Sequence, residues 1–531
     1  MKRLSTSLIA MAIASPAIAQ ADGGKQKAVD AVFARYAGNG MPGCAVAVEM
    51  NGRKLLDRAY GMADLENAIP ATPGTIYEAG SVSKQFTAAA IILLARDGKL
   101  SLYDDIRKHL PEMPDYGTPV TVGQLIHHTS GLRDWGAVAG MSGWPRNSRV
   151  ADNNDVLALA AKQKGLNYAP GTHYTYSNTN FNLAAVIVAR VSGMSFAQFS
   201  ETRILRPLGM TNSSWRERYA RLVPGRAIAY AREGAGYVID QPIEDAHGNG
   251  GLLTTTADLL RWNAALSAST LGPGFTAAME KVGVLKSGVA IEYAAGLRVT
   301  QRDGRREVAH SGSTGGYRAW LARYPDQRLS VALLCNASDA NPVETGRRVA
   351  DVFLPAAPAA PAARAYVAKE LPATGMYLSE VTGLPLRITV KGGKLMADGE
   401  AIKPVGQGRW RAGDFTYVWD ASNKLTVEAI GERLHYRRAD PALPGETRDY
   451  AGRYCGVDND FCLAVGSGAG GTLTVAPSTR LGHPLSFKPA FADAFEDAEG
   501  DVLRFTRTGG KVTGLRYLTG RAYGVTFSRM N

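Results

Sequence analysis

The chain has 531 residues, 45% of them hydrophobic and 20% charged, with a formal net charge of +12. That length exceeds one ordinary core, so about two to four domains are expected, and the composition excludes disordered and collagen-like classes. Its Lys and Arg are scattered, with no basic run and no helix-turn-helix or zinc-finger pattern, which argues against a nucleic-acid partner.

The N-terminus reads as an export signal. Lys2 and Arg3 precede a short apolar run over residues 8–13, and Ala17-Ile18-Ala19 or Ala19-Gln20-Ala21 offers a small-x-small cleavage site. A signal over residues 1–21 implies a periplasmic or secreted protein. The run is short for a bilayer and no later stretch approaches the needed length, so no stable membrane insertion is expected.

Two strand patterns over residues 43–60 flank Asn51-Gly52, a hairpin turn. Residues 81–96 read as a helix ended by Gly98, and helices and loops fill the stretch to about residue 260. Strands return near Ala309, with residues 317–324 and 329–335 joined by Pro325-Asp326. Asn341 then caps a helix that Pro342 opens and Pro355 stops. Strands at both ends of this region enclose a helical middle, which predicts an α/β sandwich with an antiparallel sheet drawn from both ends.

A Pro/Ala-rich linker covers residues 355–365. Beyond it the chain is strand-rich and repeats itself weakly. Gly375-Met376-Tyr377 matches Gly452-Arg453-Tyr454, and residues 387–395 match residues 463–475. Two small antiparallel β-barrels, residues 366–441 and 442–531, are expected. Of the four cysteines, Cys455 and Cys462 flank a turn-like sequence that a disulfide could bridge in an oxidising compartment. Cys44 and Cys335 lie in apolar runs and read as buried small hydrophobes. The eight histidines lack paired ligand spacing, so no metal is expected, and no cofactor is implied.

Three segments carry chemistry. Gly80-Ser81-Val82-Ser83-Lys84 places a hydroxyl and an amine one helical turn apart, within reach of each other. An amine held there can take the proton of a serine nucleophile, and a helix N-terminus favours a developing oxyanion. Tyr176-Ser177-Asn178 offers a phenol that a nearby cation could turn into a base, and an amide suited to a substrate amide. His310-Ser311-Gly312-Ser313 ends a strand whose Gly312 permits close backbone approach, with the Ser313 N–H as a second oxyanion donor. Lys286-Ser287-Gly288 competes for this third role from a less strand-like loop.

In this order the three segments resemble the active-site elements of the penicillin-binding-protein and class C β-lactamase-like serine hydrolases. The resemblance runs over residues 43–354 and includes His128-Thr129-Ser130-Gly131-Leu132 and Gly250-Gly251-Leu252-Leu253-Thr254, both read as structural. It implies a sheet flanked by helices with a helical subdomain. It also implies Ser81 acylated, Lys84 and Tyr176 sharing the proton shuttle in an order left open, Asn178 holding the substrate, and His310 supporting Tyr176. The N–H groups of Ser81 and Ser313 would form the oxyanion hole. The two barrels resemble the D-aminopeptidase branch of that family, in which a loop of the last barrel enters the pocket. Here the corresponding stretch, residues 495–501, is short and acidic, and Ser311 adds a hydroxyl where that branch has glycine. A hydrolase acting through an acyl-enzyme on D-residue-containing amides or peptides is therefore expected. An esterase, a β-lactamase or DD-carboxypeptidase, and a non-hydrolytic penicillin-binding sensor are the alternatives. The expected partner is a small-molecule or short-peptide substrate, with a homodimer left open.

Overall fold

Asn51 and Gly52 both take positive φ, 56° and 73°, as a tight two-residue hairpin requires, and they join the strands Cys44–Met50 and Arg53–Tyr60. The computed structural model describes residues 16–36, 38, 40–146, 148–356, 371–420, 422–439, 444–478 and 484–530, with backbone alone for residues 16–22. Most of the expected export signal and linker, and the expected junction between the barrels, lie outside the described residues.

The central sheet is antiparallel and six-stranded. Its order is Arg298–Arg302, Arg305–Thr314, Tyr317–Tyr324, Leu329–Cys335, Cys44–Met50, Arg53–Tyr60. Cys44–Met50 pairs with Leu329–Cys335 along its whole length, so the start of the region lies beside its end. Side chains alternate across a strand, and here both faces are covered. Ala45 and Ala47 pack towards the helix Thr256–Ala268, while Cys44, Val46 and Val48 pack towards the helix Pro342–Phe353. Double burial explains why Leu329–Cys335 is an unbroken apolar run, apart from Ser330, rather than an alternating one.

Cys44 and Cys335 are opposed in that ladder and form a disulfide, correcting their reading as small hydrophobes. Cys455 and Cys462, opposed in a hairpin, form a second.

Two barrel-like sheets follow this helix-covered sheet. The first has nine strands, and its end strands Glu400–Ala401 and Lys403–Gly406 are consecutive in the chain, which leaves it nearly closed. The second is a closed barrel of eight strands. Their weak internal repeat has a structural basis. Tyr377 and Tyr454 each donate to the carbonyl four residues earlier, Ala373 and Tyr450. Gly375 and Gly452 each lie against an arginine of their sheet's last strand, Arg438 and Arg529.

Candidate active site

Ser81 sits in the 3-10 turn Gly80–Ser83, which runs directly into the helix Lys84–Arg96. A Cβ on Gly80 would lie 2.7 Å from Ser313 N, and one on Gly312 would lie 2.0 Å from Ala79 O. Glycine at both positions lets the strand Arg305–Thr314 meet the nucleophile turn backbone to backbone. Ser81 and Ser313 therefore line one cavity of about 450 Å³, together with Tyr176, Asn178, His310 and Ser311. Behind the turn, Glu78 accepts from Gly251 N–H and pairs with buried Arg216, bracing it as the structural reading of Gly251 requires.

Lys84 is fully buried. Its Nζ lies 3.1 Å from Ser81 Oγ, 2.9 Å from Asn178 Oδ1 and 2.6 Å from Asn249 O. The last two partners only accept. A neutral amine has two N–H bonds to give them, which leaves its lone pair facing Ser81. Burial, reinforced by the positive charge of Arg521, pushes the Lys84 ammonium well below the ordinary lysine range. Tyr176 OH lies 2.6 Å from Ser81 Oγ. Burial holds that phenol up at about 12, against the opposing pull of the Ser81 hydrogen bond and Arg521. A neutral amine and a protonated phenol thus converge on one hydroxyl, a pairing that suits Lys84 to accept the serine proton and Tyr176 to give one up.

His310 does not touch Tyr176 by a hydrogen bond. Its Nδ1 lies 2.6 Å from Ser311 O, so that nitrogen carries the proton, and its Nε2 accepts from Tyr293 OH at 2.9 Å. Burial above all pushes the ring down to about 3, so it is neutral. Tyr293 in turn meets Tyr176 edge-on, with centroids 6.5 Å apart. The His310 ring itself packs on Tyr176, centroids 6.3 Å apart, so His310 meets Tyr176 both by direct ring contact and through Tyr293. Lys286 packs on Gly171 and does not line the Ser81 cavity, whereas His310, Ser311 and Ser313 do.

The second segment is held from several sides. His128 accepts from Ser177 N–H at 3.2 Å and packs 4.4 Å from the Tyr176 ring. Asp134 caps the helix Trp135–Met141 through Oδ1. Its Oδ2 accepts from Asn178 N–H at 2.6 Å. Both barrels also reach this segment. Glu432, in the first, pairs with His173 and accepts from Tyr174 N–H at 3.1 Å. Tyr523, in the second, meets Thr175 Oγ1 at 2.8 Å. Arg521 lies over Tyr176. The acidic residues Asp497, Glu499 and Asp501 instead line an adjoining cavity of about 860 Å³, which shares Arg146, Asn178 and Arg521 with the Ser81 cavity. The part of the last barrel that touches the tyrosine is thus residues 519–524, not 495–501.

Residues 29–354 match the family model described as Beta-lactamase, well over half of the chain. The chain belongs to the beta-lactamase family. It is a serine hydrolase by that membership, and similar proteins extend the likeness in both directions. The D-aminopeptidase of Gluconobacter oxydans (strain 621H) is 29% identical over 520 residues, covering 92% of this chain and 96% of that protein. Penicillin-binding protein 4* of Bacillus subtilis (strain 168) is 31% identical over 322 residues, covering 56% of this chain and 68% of that one. The octameric penicillin-binding protein homologue from Pyrococcus abyssi superposes with a TM-score of 0.57 at 24% identity. It covers 78% of this chain and 99% of that structure, a likeness of fold.

Asp134, Tyr293, Glu432 and Arg521 stand around Ser81 without having been singled out as site residues from the sequence. Only Asp134 has a local signal, an Asp before an apolar helix. Replacing Glu432 by Ala frees the segment before Tyr176. A roughly tenfold loss of kcat, with Ser81 still labelled by a fluorophosphonate, is expected; unchanged kcat would show that the first barrel does not hold the tyrosine.

Proposed function

We propose that this chain is an exported, D-stereospecific hydrolase that opens amide bonds of D-residue-containing amides or short peptides through an acyl-enzyme on Ser81. The observation that carries the reading is the placing of Ser81 Oγ between Lys84 Nζ and Tyr176 OH, at 3.1 and 2.6 Å. Ser81 Oγ attacks the carbonyl carbon while its proton passes to Lys84. The new oxyanion accepts from the N–H groups of Ser81 and Ser313. Collapse expels the amine, which takes its proton from Tyr176, and the Lys84 ammonium makes that proton good. Water then cleaves the ester on Ser81 with the proton moving in the opposite sense. Asn178 keeps its Nδ2 for the substrate, since Oδ1 is engaged by Lys84.

The D-stereospecificity is supported by the names of full-length relatives. Export is supported by the N-terminal charge and apolar pattern and by two disulfides, which persist in oxidising compartments. A second reading has its own observation. The Ser81 cavity presents Arg146, Arg521 and the hydroxyls of Ser311 and Ser313, with no carboxylate among its described lining residues. That lining favours a substrate carboxylate over a free amine, as in a DD-carboxypeptidase.

One panel separates the readings: D- and L-alanine amides, amine-blocked D-alanyl-D-alanine, nitrocefin and short nitrophenyl esters. Release from D-alanine amide but not its L-isomer is the expected result. Turnover confined to the blocked dipeptide would replace it with the carboxypeptidase, and turnover confined to esters with an esterase.

A further inference from the structure

The tyrosine beside Ser81 is reached from the far end of the chain. Arg521 lies between the last two strands of the closed barrel, Lys511–Leu518 and Val525–Arg529. Its guanidinium carbon stands 5.0 Å from the centroid of the Tyr176 ring, and Lys84 Nζ stands 4.7 Å from the same centroid. A cation against an aromatic face is attracted by the ring's quadrupole, more strongly where water is excluded. Tyr176 therefore lies against the Arg521 cation and the Lys84 amine, groups from two parts of the chain that meet only when the barrel is docked.

The backbone that carries Arg521 is fixed to the catalytic domain. Its carbonyl accepts from Asp134 N–H at 3.2 Å and from Asn167 Nδ2 at 3.1 Å. Two residues on, Tyr523 N–H donates to Asn167 Oδ1 at 2.7 Å, and its hydroxyl meets Thr175, next to Tyr176. Asp134 is the residue that holds Asn178 N–H, so the turn touches the partners of both Tyr176 and Lys84.

The other ionisable groups around the site largely cancel. His128 and His310 are kept neutral by burial, and Tyr174 and Tyr293 stay protonated for the same reason. Arg146 pairs with Glu244, and Arg298 pairs with Glu292 and Asp414. The Asp134 carboxylate is spread over the N-termini of two helices. Arg521 makes no ion pair among the described residues; Asp497, Glu499 and Asp501 line the adjoining cavity that Arg521 also lines, where burial pushes Asp501 up to about 7.

We propose that Arg521 is a positioning residue of the catalytic centre: the last barrel inserts its guanidinium against Tyr176 and so holds the Tyr176–Ser81–Lys84 array ready for attack. Its charge also works on both groups in the useful sense, disfavouring the Lys84 ammonium and favouring loss of the Tyr176 proton. The inference rests on the reading of Ser81 as the acylated residue with Lys84 as its base.

The test uses the full chain carrying Arg521→Ala, Arg521→Gln or Arg521→Lys. The rate of Ser81 acylation by a neutral fluorophosphonate and kcat on the best panel substrate are followed against pH, and thermal unfolding checks folding. Removing a positive neighbour raises the Lys84 pKa, so the acid limb should move to higher pH, by about half a pH unit or more. Acylation should slow about tenfold, and Arg521→Lys should restore the limb and most of the rate. A folded Ala or Gln variant with an unmoved limb overturns the proposal. So does a rise in KM alone, which would make Arg521 a substrate anchor, and so does a Lys variant as defective as the Gln one. Wild-type protein that fails to label at Ser81 overturns the underlying reading; normal wild-type labelling with an unmoved limb overturns the arginine alone.

Discussion

Replacing Ser81 by alanine is expected to abolish covalent labelling by fluorophosphonate or β-lactam probes and to lower kcat by about four orders of magnitude or more. The side chain is small and partly exposed, and its two polar neighbours keep other partners. Lys84 retains Asn178 and Asn249, and Tyr176 retains its packing on His128. The fold should survive, so circular dichroism and thermal unfolding should match the parent protein while intact-mass spectrometry shows no adduct. An adduct that persists in the Ser81→Ala protein would move the nucleophile elsewhere and undo the mechanism.

Lys84→Met should produce nearly as large a loss, because it removes the base while keeping the apolar stem in its buried slot. General-base assistance is typically worth about a hundredfold to ten-thousandfold, and acylation of Ser81 should fall within that range. Lys84→Arg should not rescue it, since a guanidinium cannot be deprotonated to accept the serine proton. The pH profile follows from the same group. Lys84 acts as the free amine, so acylation should rise with pH through its depressed pKa and fall away below it. Tyr176 is pushed up to about 12, so the parent protein should show no loss from phenol ionisation near neutrality. Labelling of Lys84→Met within tenfold of the parent would shift the base role to Tyr176.

The sequence carries the centre of this site clearly and its surroundings hardly at all, for a physical reason. Ser81 and Lys84 sit one helical turn apart, so their relation is written in a spacing of three. Gly312 is legible for a similar reason: backbone contact with Ala79 tolerates no side chain. Asn51-Gly52 and the Pro342 helix start were readable because turns and caps are local. Arg521 and Glu432 act across hundreds of residues from isolated positions, and nothing near them in the chain marks their target. Tyr293 is a single tyrosine in a loop, and no pattern near it marks its place beside His310 and Tyr176. The cysteines divide along the same line. Cys455 and Cys462 face each other across a hairpin, whereas pairing Cys44 with Cys335 required knowing which strands of the sheet are neighbours.

The barrels change meaning once their contacts are known. The internal repeat says nothing of what the barrels touch. In the structure each places a side chain on the short stretch that carries Tyr176: Glu432 on His173 and Tyr174, and Tyr523 on Thr175. Exchange of a barrel between relatives should therefore alter turnover as well as substrate choice.

The bridge between Cys44 and Cys335 ties positions 291 residues apart, and Ser81, Tyr176 and His310 all fall inside the covalent ring it makes. A protease that clips an exposed turn within that ring leaves two fragments still joined through sulfur. Such a nicked molecule should migrate as one species on a denaturing gel until a reductant separates the pieces.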